Sequence, residues 1–273
     1  MLKDITIGQY YRSDSVLHRL DPRVKLFGTL IYVVTLFLHK SPVNYVMSLG
    51  FLLIMIGLST VPVSFIIRGL KSVAVILVFS VGINMLFIPG KPIFQVGFIS
   101  ISKEGLRMAV YLGSRLIMLI MGTSLLTFTT TPNELTDGLD KSLGFLNALK
   151  IPVHEIAMMM SIALRFIPIL LEETDKIMKA QIARGADFES GNIIQRAKAM
   201  IPILVPLFVS AFRRANDLAM AMEARCYHGG EGRTKMKPLK YHYQDRLAYA
   251  ITLGYLIAIV VIGRFVPFKL WIF

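Results

Sequence analysis

Apolar runs without charged residues recur along this chain. Five such runs are present, and most approach or exceed the roughly 17–25 residues that cross a bilayer as a helix. They are Leu26–Leu38, Ser41–Ile67, Ser72–Gly90, Leu116–Asn133 and Leu247–Gly263. The first run is short, so it spans a bilayer only if its helix starts nearer Pro22. Asp21-Pro22 has the sequence of a helix start, with Asp as the cap and Pro at the first helical position, and Lys25 would then lie at the headgroups. We therefore expect an all-α, polytopic membrane protein with about five transmembrane helices.

The pattern changes between the fourth and fifth runs. Thr131-Pro132-Asn133-Glu134 has the sequence of a capping box, with Thr at the N-cap, Pro at the first helical position and Glu at the third. Residues 132–245 carry 13 of the 17 acidic residues. The pattern predicts three mixed-polarity helices in this segment, over 132–150, 152–184 and 191–226.

Two parts of this polar segment, Ile151–Leu171 and Ile193–Phe212, are apolar enough to suggest additional spans. Arg165, Arg196 and Lys198 argue against that interpretation, because charges within a bilayer are costly. We therefore expect an N-terminal membrane region over 1–131 with four spans, a cytoplasmic helical domain over 132–245, and a last span within 246–273.

Positive charge is unevenly distributed between the two sides that these spans define. With the N-terminus in the cytoplasm, 23 of the 30 Lys and Arg residues are cytoplasmic. The positive-inside rule therefore predicts a cytoplasmic N-terminus and a C-terminus outside. The net charge of +13 then reports topology and contact with the lipid bilayer rather than with nucleic acid. No cleavable signal peptide is visible, and the lone Cys226 excludes an internal disulfide.

Sequence patterns of catalysis are missing. There is no phosphate-binding glycine loop and no nucleophile elbow, and the five histidines do not cluster at metal-ligand spacing. We expect no enzymatic activity, no cofactor and no metal. Arg115 is the single full charge within an apolar span. It is either functional or extends its side chain to the headgroups.

The most distinctive pattern is a near-repeat. Ala183-Arg184-Gly185 ends one predicted helix, and Ala224-Arg225-Cys226 ends the next. Each follows the tetrapeptide Ile-Pro-Ile-Leu, at Ile167–Leu170 and Ile201–Leu204. The interval from this Ile to the Arg is longer in the second copy by about two helical turns. The two arginines therefore leave their helices at similar angles.

A single Arg near a helix end followed by Gly is explained by dipole and capping preferences alone. The pair, with its shared prefix, favours two equivalent docking points, where each guanidinium forks onto a partner's acceptors. Cys226 stands where Gly is expected and tolerates the left-handed conformation poorly. Either this helix continues to a cap at Gly229, or its end is shaped differently.

Small residues recur every four positions on the third predicted helix, at Ala211, Ala215 and Ala219. This spacing permits a close helix crossing. Alanine is also simply a good helix former, so the spacing leaves both interpretations open.

The whole chain resembles the transmembrane coupling (T) component of energy-coupling-factor transporters. The resemblance includes Ile7-Gly8-Gln9-Tyr10, Ser15–Leu26, the spans, the long insertion and both arginine motifs. It implies that Arg184 and Arg225 dock into grooves on two ABC-type ATPase subunits. It also implies that the spans hold a membrane-embedded substrate-binding S component, in a bacterial or archaeal cell membrane.

The resemblance further implies that the protein transmits ATP-driven movement during uptake of a vitamin or another micronutrient. A dedicated cobalt or nickel transporter subunit is the alternative within the family. A secondary transporter with its own substrate site would need polar or broken helices at mid-membrane in two corresponding halves. The sequence shows no such halves.

Overall fold

The structure is a computed structural model, and it describes residues 10–38, 41–88, 92–96, 99–188, 192–229, 236 and 238–265. These residues are helical apart from a short hairpin, one 3-10 helix and the connecting turns, which confirms the all-α class. The α-helices are α1 (Val16–Arg19), α2 (Pro22–Leu38), α3 (Pro42–Ser59), α4 (Val63–Phe87), α5 (Lys103–Thr129), α6 (Pro132–Ser142), α7 (Val153–Ala183), α8 (Ile193–Ala224) and α9 (Tyr243–Phe265). The hairpin strands are β1 (Pro92–Val96) and β2 (Ile99–Ser102), and the 3-10 helix is Gly144–Leu149.

The chain divides into two units. One unit, called the membrane unit below, comprises residues 8–138 and 239–273 and contains α1–α5 and α9. The other, called the hairpin unit after its two long helices, lies within residues 139–238 and contains the 3-10 helix, α7 and α8. α6 begins in the first unit and ends in the second.

In the membrane unit, α2 begins as its sequence predicts. The Asp21 carboxylate accepts a hydrogen bond from the Arg23 amide at 2.9 Å, and Pro22 occupies the first helical position. The Arg23 guanidinium also pairs with Asp21 and lies 3.9 Å from the centre of the Tyr241 ring. Burial acts to raise the pKa of Asp21, but the hydrogen bonds from Arg23 outweigh it and lower that pKa.

Lys25 corrects an expectation from the sequence. A basic residue at the start of a span is expected to reach the headgroups, but Lys25 is only 9% exposed. Its ammonium donates to the backbone carbonyls of His18, at 3.0 Å, and Thr129, at 2.9 Å. Lys25 thus joins the end of α5 to α1, and its role is structural.

Polar contacts also join the spans in the interior of the membrane unit. The Tyr255 hydroxyl of α9 hydrogen-bonds with Ser48 of α3, at 2.6 Å, and with Thr35 of α2, at 3.1 Å. Leu36 and Ile259 are fully buried beside them. Small hydroxyl residues at such positions let helices approach closely and satisfy one another inside a bilayer.

The boundaries of three predicted spans change. The apolar run Ser41–Ile67 is interrupted at Thr60, whose left-handed backbone (φ 55°) ends α3. The end of this run, from Val63 onward, joins the next apolar run, Ser72–Gly90, in α4. This helix bends by 61° between Val63–Lys71 and Val73–Met85. α5 starts at Lys103, well before the predicted Leu116, because the Ser102 hydroxyl caps it by accepting from the Gly105 amide.

Five of the described helices are long and apolar enough to cross a membrane: α3, α5, α7, most of α8, and α9. The bent α4 would make a sixth span if its two parts cross together. At 17 residues, α2 stands at the lower limit of spanning length. The number of candidate spans matches the sequence prediction, but α7 and α8 are those that charged residues argued against.

The predicted helix over 132–150 is wrong in its second half. The capping box at its start does form, because Glu134 accepts from the Thr131 amide at 3.1 Å and the Thr131 hydroxyl from the Glu134 amide at 3.3 Å. However, α6 ends at Ser142, and a 3-10 helix follows to Leu149. Lys150 is left-handed (φ 60°), and its conformation separates this helix from α7.

Candidate functional site

The predicted arginine at the end of α7 belongs to a complete C-terminal cap. The amide of Gly185 donates to the carbonyl of Ile182 at 2.9 Å, and the amide of Ala186 donates to the carbonyl of Gln181 at 2.9 Å. Gly185 is left-handed, with φ 86°. This pair of bonds around a left-handed residue is a Schellman motif, with Arg184 as the last residue before it.

The end of α8 has the same geometry. The amide of Cys226 donates to the carbonyl of Glu223 at 2.8 Å, and the amide of Tyr227 donates to that of Met222 at 3.0 Å. Cys226 is left-handed, with φ 56°, so this helix does not continue to Gly229. The backbone angles at Arg225 (φ −94°, ψ 17°) are close to those at Arg184 (φ −88°, ψ 7°). The near-repeat in sequence is therefore a repeat in structure.

Both arginines are available for contact. Ala183, Arg184 and Gly185 are exposed, and so are their counterparts at the end of α8, Ala224, Arg225 and Cys226. Neither guanidinium has a hydrogen-bond or ion-pair partner among the residues that the structure describes. Small neighbours leave each guanidinium free to fork onto acceptors of another molecule.

α7 and α8 pack against each other through polar contacts. Glu173 of α7 accepts from the Ser210 hydroxyl and, at 3.0 Å, from the Arg214 guanidinium of α8. Further along α7, the Gln181 amide donates to the Pro202 carbonyl at 3.4 Å. Because later residues of α7 meet earlier residues of α8, the two helices are antiparallel.

The antiparallel arrangement places the two arginines at opposite ends of the pair. Glu173 lies about three helical turns before Arg184, and Arg214 lies the same interval before Arg225. Given the axial rise of an α-helix, each arginine is about 16 Å from the Glu173–Arg214 contact, in opposite directions. The two helix ends are thus suited to two separate binding sites rather than to one.

Other predicted residues are placed differently. On α8, Ala211 is half-buried, whereas Ala215 and Ala219 are exposed. Contact of the last two with another helix would therefore require a residue outside the described part of this chain. The helix crossing at this stripe remains a prediction.

Arg115 is half-buried in α5, level with the end of α2 and the start of α3. Its Nε donates to the Tyr45 hydroxyl at 3.0 Å. Its guanidinium carbon is 5.6 Å from the Phe37 ring centre and 5.5 Å from that of Tyr111. These contacts hold the guanidinium against neighbouring side chains of the chain, and its functional role stays a prediction.

Sequence reasoning missed the residues that hold α7 against α8: Glu173, Gln181, Ser210 and Arg214. One signal was available, because Pro202 and Pro206 are four apart. Pro206 lacks an amide hydrogen, so the Pro202 carbonyl loses its helical donor. That carbonyl is left able to accept from outside its helix, and the Gln181 side chain donates to it. The Glu173–Arg214 contact leaves no comparable mark in the sequence.

Possible reaction centres can be sought among the described residues only. Within them, no group of three or more His, Cys, Asp or Glu side chains could hold a metal ion. The features that stand out are the exposed arginine caps at the two ends of one helix pair. The fold and these features together define a multi-pass membrane protein with two exposed arginine caps.

The chain belongs to the CbiQ family, described as cobalt transport protein, whose model matches residues 13–236. It is similar to the energy-coupling factor transporter transmembrane protein EcfT of Clostridium kluyveri, with 53% identity over 97% of this chain and 98% of that protein. The protein of the same name from Ruminiclostridium cellulolyticum is 52% identical over 94% of this chain and 96% of its own length. That of Bacillus subtilis is 49% identical over 90% and 93%. The resemblance to the transmembrane component of energy-coupling-factor transporters is therefore confirmed, and the chain is a membrane transport component.

Proposed function

We propose that this chain couples two ABC-type ATPase subunits to a membrane-embedded S component, with Arg184 and Arg225 as the two ATPase-docking residues. The observation that carries the proposal is the matched pair of Schellman caps. Each presents one exposed arginine, flanked by small residues, at opposite ends of an antiparallel helix pair. Two equivalent ends suit two equivalent grooves. ATP hydrolysis belongs to the partner subunits, and this chain transmits their movement.

The same proposal places α7 and α8 beneath the membrane rather than across it. Arg165 of α7 and Arg196 and Lys198 of α8 are exposed on helices that would otherwise face lipid. The bias of Lys and Arg supports a cytoplasmic N-terminus, a cytoplasmic 132–245 segment and an outside C-terminus.

α8 also carries an apolar face that supports a membrane-embedded partner. Ile201, Leu204, Phe208 and Phe212 recur at helical spacing and are each more than half exposed. An uncovered face of this kind suits an apolar helix or lipid. In the proposed complex the S component binds the substrate, a vitamin or another micronutrient, in the cell membrane.

A second candidate function is that of a dedicated subunit for cobalt or nickel uptake. It is favoured by the description of the matching family as cobalt transport protein. Purification from the native membrane, with identification of the S components that accompany the chain, separates the two candidates. One metal-specific partner supports the second, and several vitamin-binding partners support the first.

The docking role is tested by replacing both arginines with Ala in cells that express the whole transporter. We expect the ATPases to be lost from the purified complex and substrate uptake to fall to background, because removing each arginine costs about 2–5 kcal/mol of binding, much of it from leaving its partner groups unpaired. The matched control is Arg196→Ala with Arg213→Ala, two exposed arginines within α8. Normal co-purification and uptake in the Arg184→Ala, Arg225→Ala protein would refute the assignment.

A further inference from the structure

The polar contact between α7 and α8 lies midway between the two arginine caps. The offset in sequence from Glu173 to Arg214 equals the offset from Arg184 to Arg225. Two antiparallel helices of similar length are related by an approximate two-fold axis at the midpoint of the pair. Rotation about this axis superposes each residue of the first helix on the residue of the second that follows it by a fixed number of positions in the sequence. Glu173 and Arg214 are therefore equivalent positions that meet at this axis, and the ion pair between them is 3.0 Å long.

We infer that Glu173, Arg214 and Ser210 are positioning residues that hold the crossing point of α7 and α8 and so fix the separation of the two docking arginines. The inference rests on the proposed function of those arginines. In this arrangement the contact is a fixed crossing point, and each arginine lies about 16 Å from it along its own helix. A force applied at one arginine is then passed to the other helix and onward, instead of separating the helices.

The chemistry of the contact suits this role. The Glu173 carboxylate is half-buried and accepts two hydrogen bonds, one from Ser210 and one from Arg214. Charge-assisted hydrogen bonds are directional and stronger than neutral ones. Most of the neighbouring surface of α8 is exposed, so few apolar contacts could hold the crossing in register without this cluster.

A second contact prevents the helices from rotating about that point. Pro206 cannot donate to the Pro202 carbonyl, and the Gln181 side chain donates to it instead, at 3.4 Å. Gln181 follows Glu173 on α7 by the same interval by which Pro202 precedes Ser210 on α8. Two contacts separated by about 12 Å along the helices define both the position and the angle of the crossing.

The experiment measures the distance between the two helix ends in the complete complex. Spin labels are placed on cysteines at Ala180 and Ala221, exposed residues that have the same offset in sequence as the two arginines. The Cys226→Gly background removes the native cysteine. We expect one narrow distance distribution, broadened by Arg214→Glu and restored by the charge-swapped pair Glu173→Arg with Arg214→Glu. Arg213→Glu and Glu172→Arg, on exposed neighbours, serve as controls and should leave the distribution narrow.

Transport provides the second measurement. In Arg214→Glu, substrate taken up per ATP hydrolysed should fall several-fold while the ATPases still co-purify, because the variant loses a charge-assisted hydrogen bond and places two carboxylates at the crossing. The charge-swapped pair, Glu173→Arg with Arg214→Glu, should recover most of the uptake per ATP hydrolysed. An unchanged distance and an unchanged transport ratio in Arg214→Glu would overturn the inference. If instead the distance responds but the Arg184→Ala, Arg225→Ala protein keeps its ATPases, the crossing contact stands and the proposed docking role fails.

Discussion

The membrane unit and the hairpin unit use apolar helices in opposite ways. In the most apolar stretch of α3, 33% of the residues are buried within the chain, whereas for α8 the share is 6%. The spans of the membrane unit are also tied together by buried polar contacts such as those of Lys25 and Tyr255. α7 and α8 are joined by two polar contacts, and most residues of α8 are exposed.

This difference indicates which unit depends on other molecules. The membrane unit holds its helices together through internal contacts, so substitutions in its interior should alter folding. The hairpin unit presents surface, charge and helix ends that have no partner among the described residues, so substitutions there should alter assembly and transport. The following predictions test that division, from the largest expected effect to the smallest.

Single substitutions at the arginine caps should separate assembly from folding. Arg184→Ala and Arg225→Ala should each weaken ATPase binding by about 2–5 kcal/mol, and by similar amounts, because the two caps have the same geometry. Lys at either position should restore little, since an ammonium lacks the planar fork. The thermal midpoint of the isolated chain in detergent should not change.

ATPase affinity, measured by titration onto the chain in lipid nanodiscs, decides the first part of that prediction. A loss at only one arginine would show that the two ends are not equivalent. A lower thermal midpoint in either variant would show that these caps stabilise the chain itself, and the contrast between the units would weaken.

Gly122 of α5 tests the packing of the membrane unit. A Cβ built at this position stands 2.5 Å from Cε1 of Tyr32, a buried ring stacked with Phe51 and Tyr255. Gly122→Ala should therefore cost about 1–3 kcal/mol through overpacking.

Gly57 of α3 is the matched control, because a Cβ there meets no described atom within 4 Å. Gly57→Ala should stabilise the chain by about 0.5–1 kcal/mol, since Ala is the better helix former. The two thermal midpoints should shift in opposite directions. Equal shifts would mean that Tyr32 can move away and that this interior is loosely packed.

Local sequence signals predicted much of this structure. The Asp21-Pro22 start of α2 and the Thr131–Glu134 capping box form as expected, because each depends on residues within one turn of the chain. Both arginines stand at helix ends for the same reason. The all-α class follows from the apolar runs, whose lengths favour spanning helices.

Contacts between distant parts of the chain could not be predicted in this way. The burial of Lys25 depends on a carbonyl at Thr129, far away in sequence, and no local pattern reveals it. The pairing of Glu173 with Arg214 likewise depends on how two helices cross.

The smallest expected effect concerns the one difference between the two caps. Gly185 and Cys226 occupy the same left-handed position, but a side chain there costs about 1–2 kcal/mol. Glycine in turn lowers stability by about 0.4–1 kcal/mol relative to other residues, because it makes the unfolded chain more flexible. Cys226→Gly should therefore stabilise the end of α8 by about 0.5–1 kcal/mol, and Gly185→Ala should destabilise the end of α7 by a similar amount.

Hydrogen exchange of the amides at 222–226 and 181–185 measures these changes locally. Exchange should slow in the first variant and quicken in the second, each by a few-fold, because opening of the last turn limits both. ATPase binding should survive Cys226→Gly, since the arginine and its cap keep their geometry. If exchange at 222–226 does not slow, the left-handed Cys226 is not strained in this setting. The two ends would then be equal in stability as well as in shape, and the difference in sequence would have no mechanical consequence.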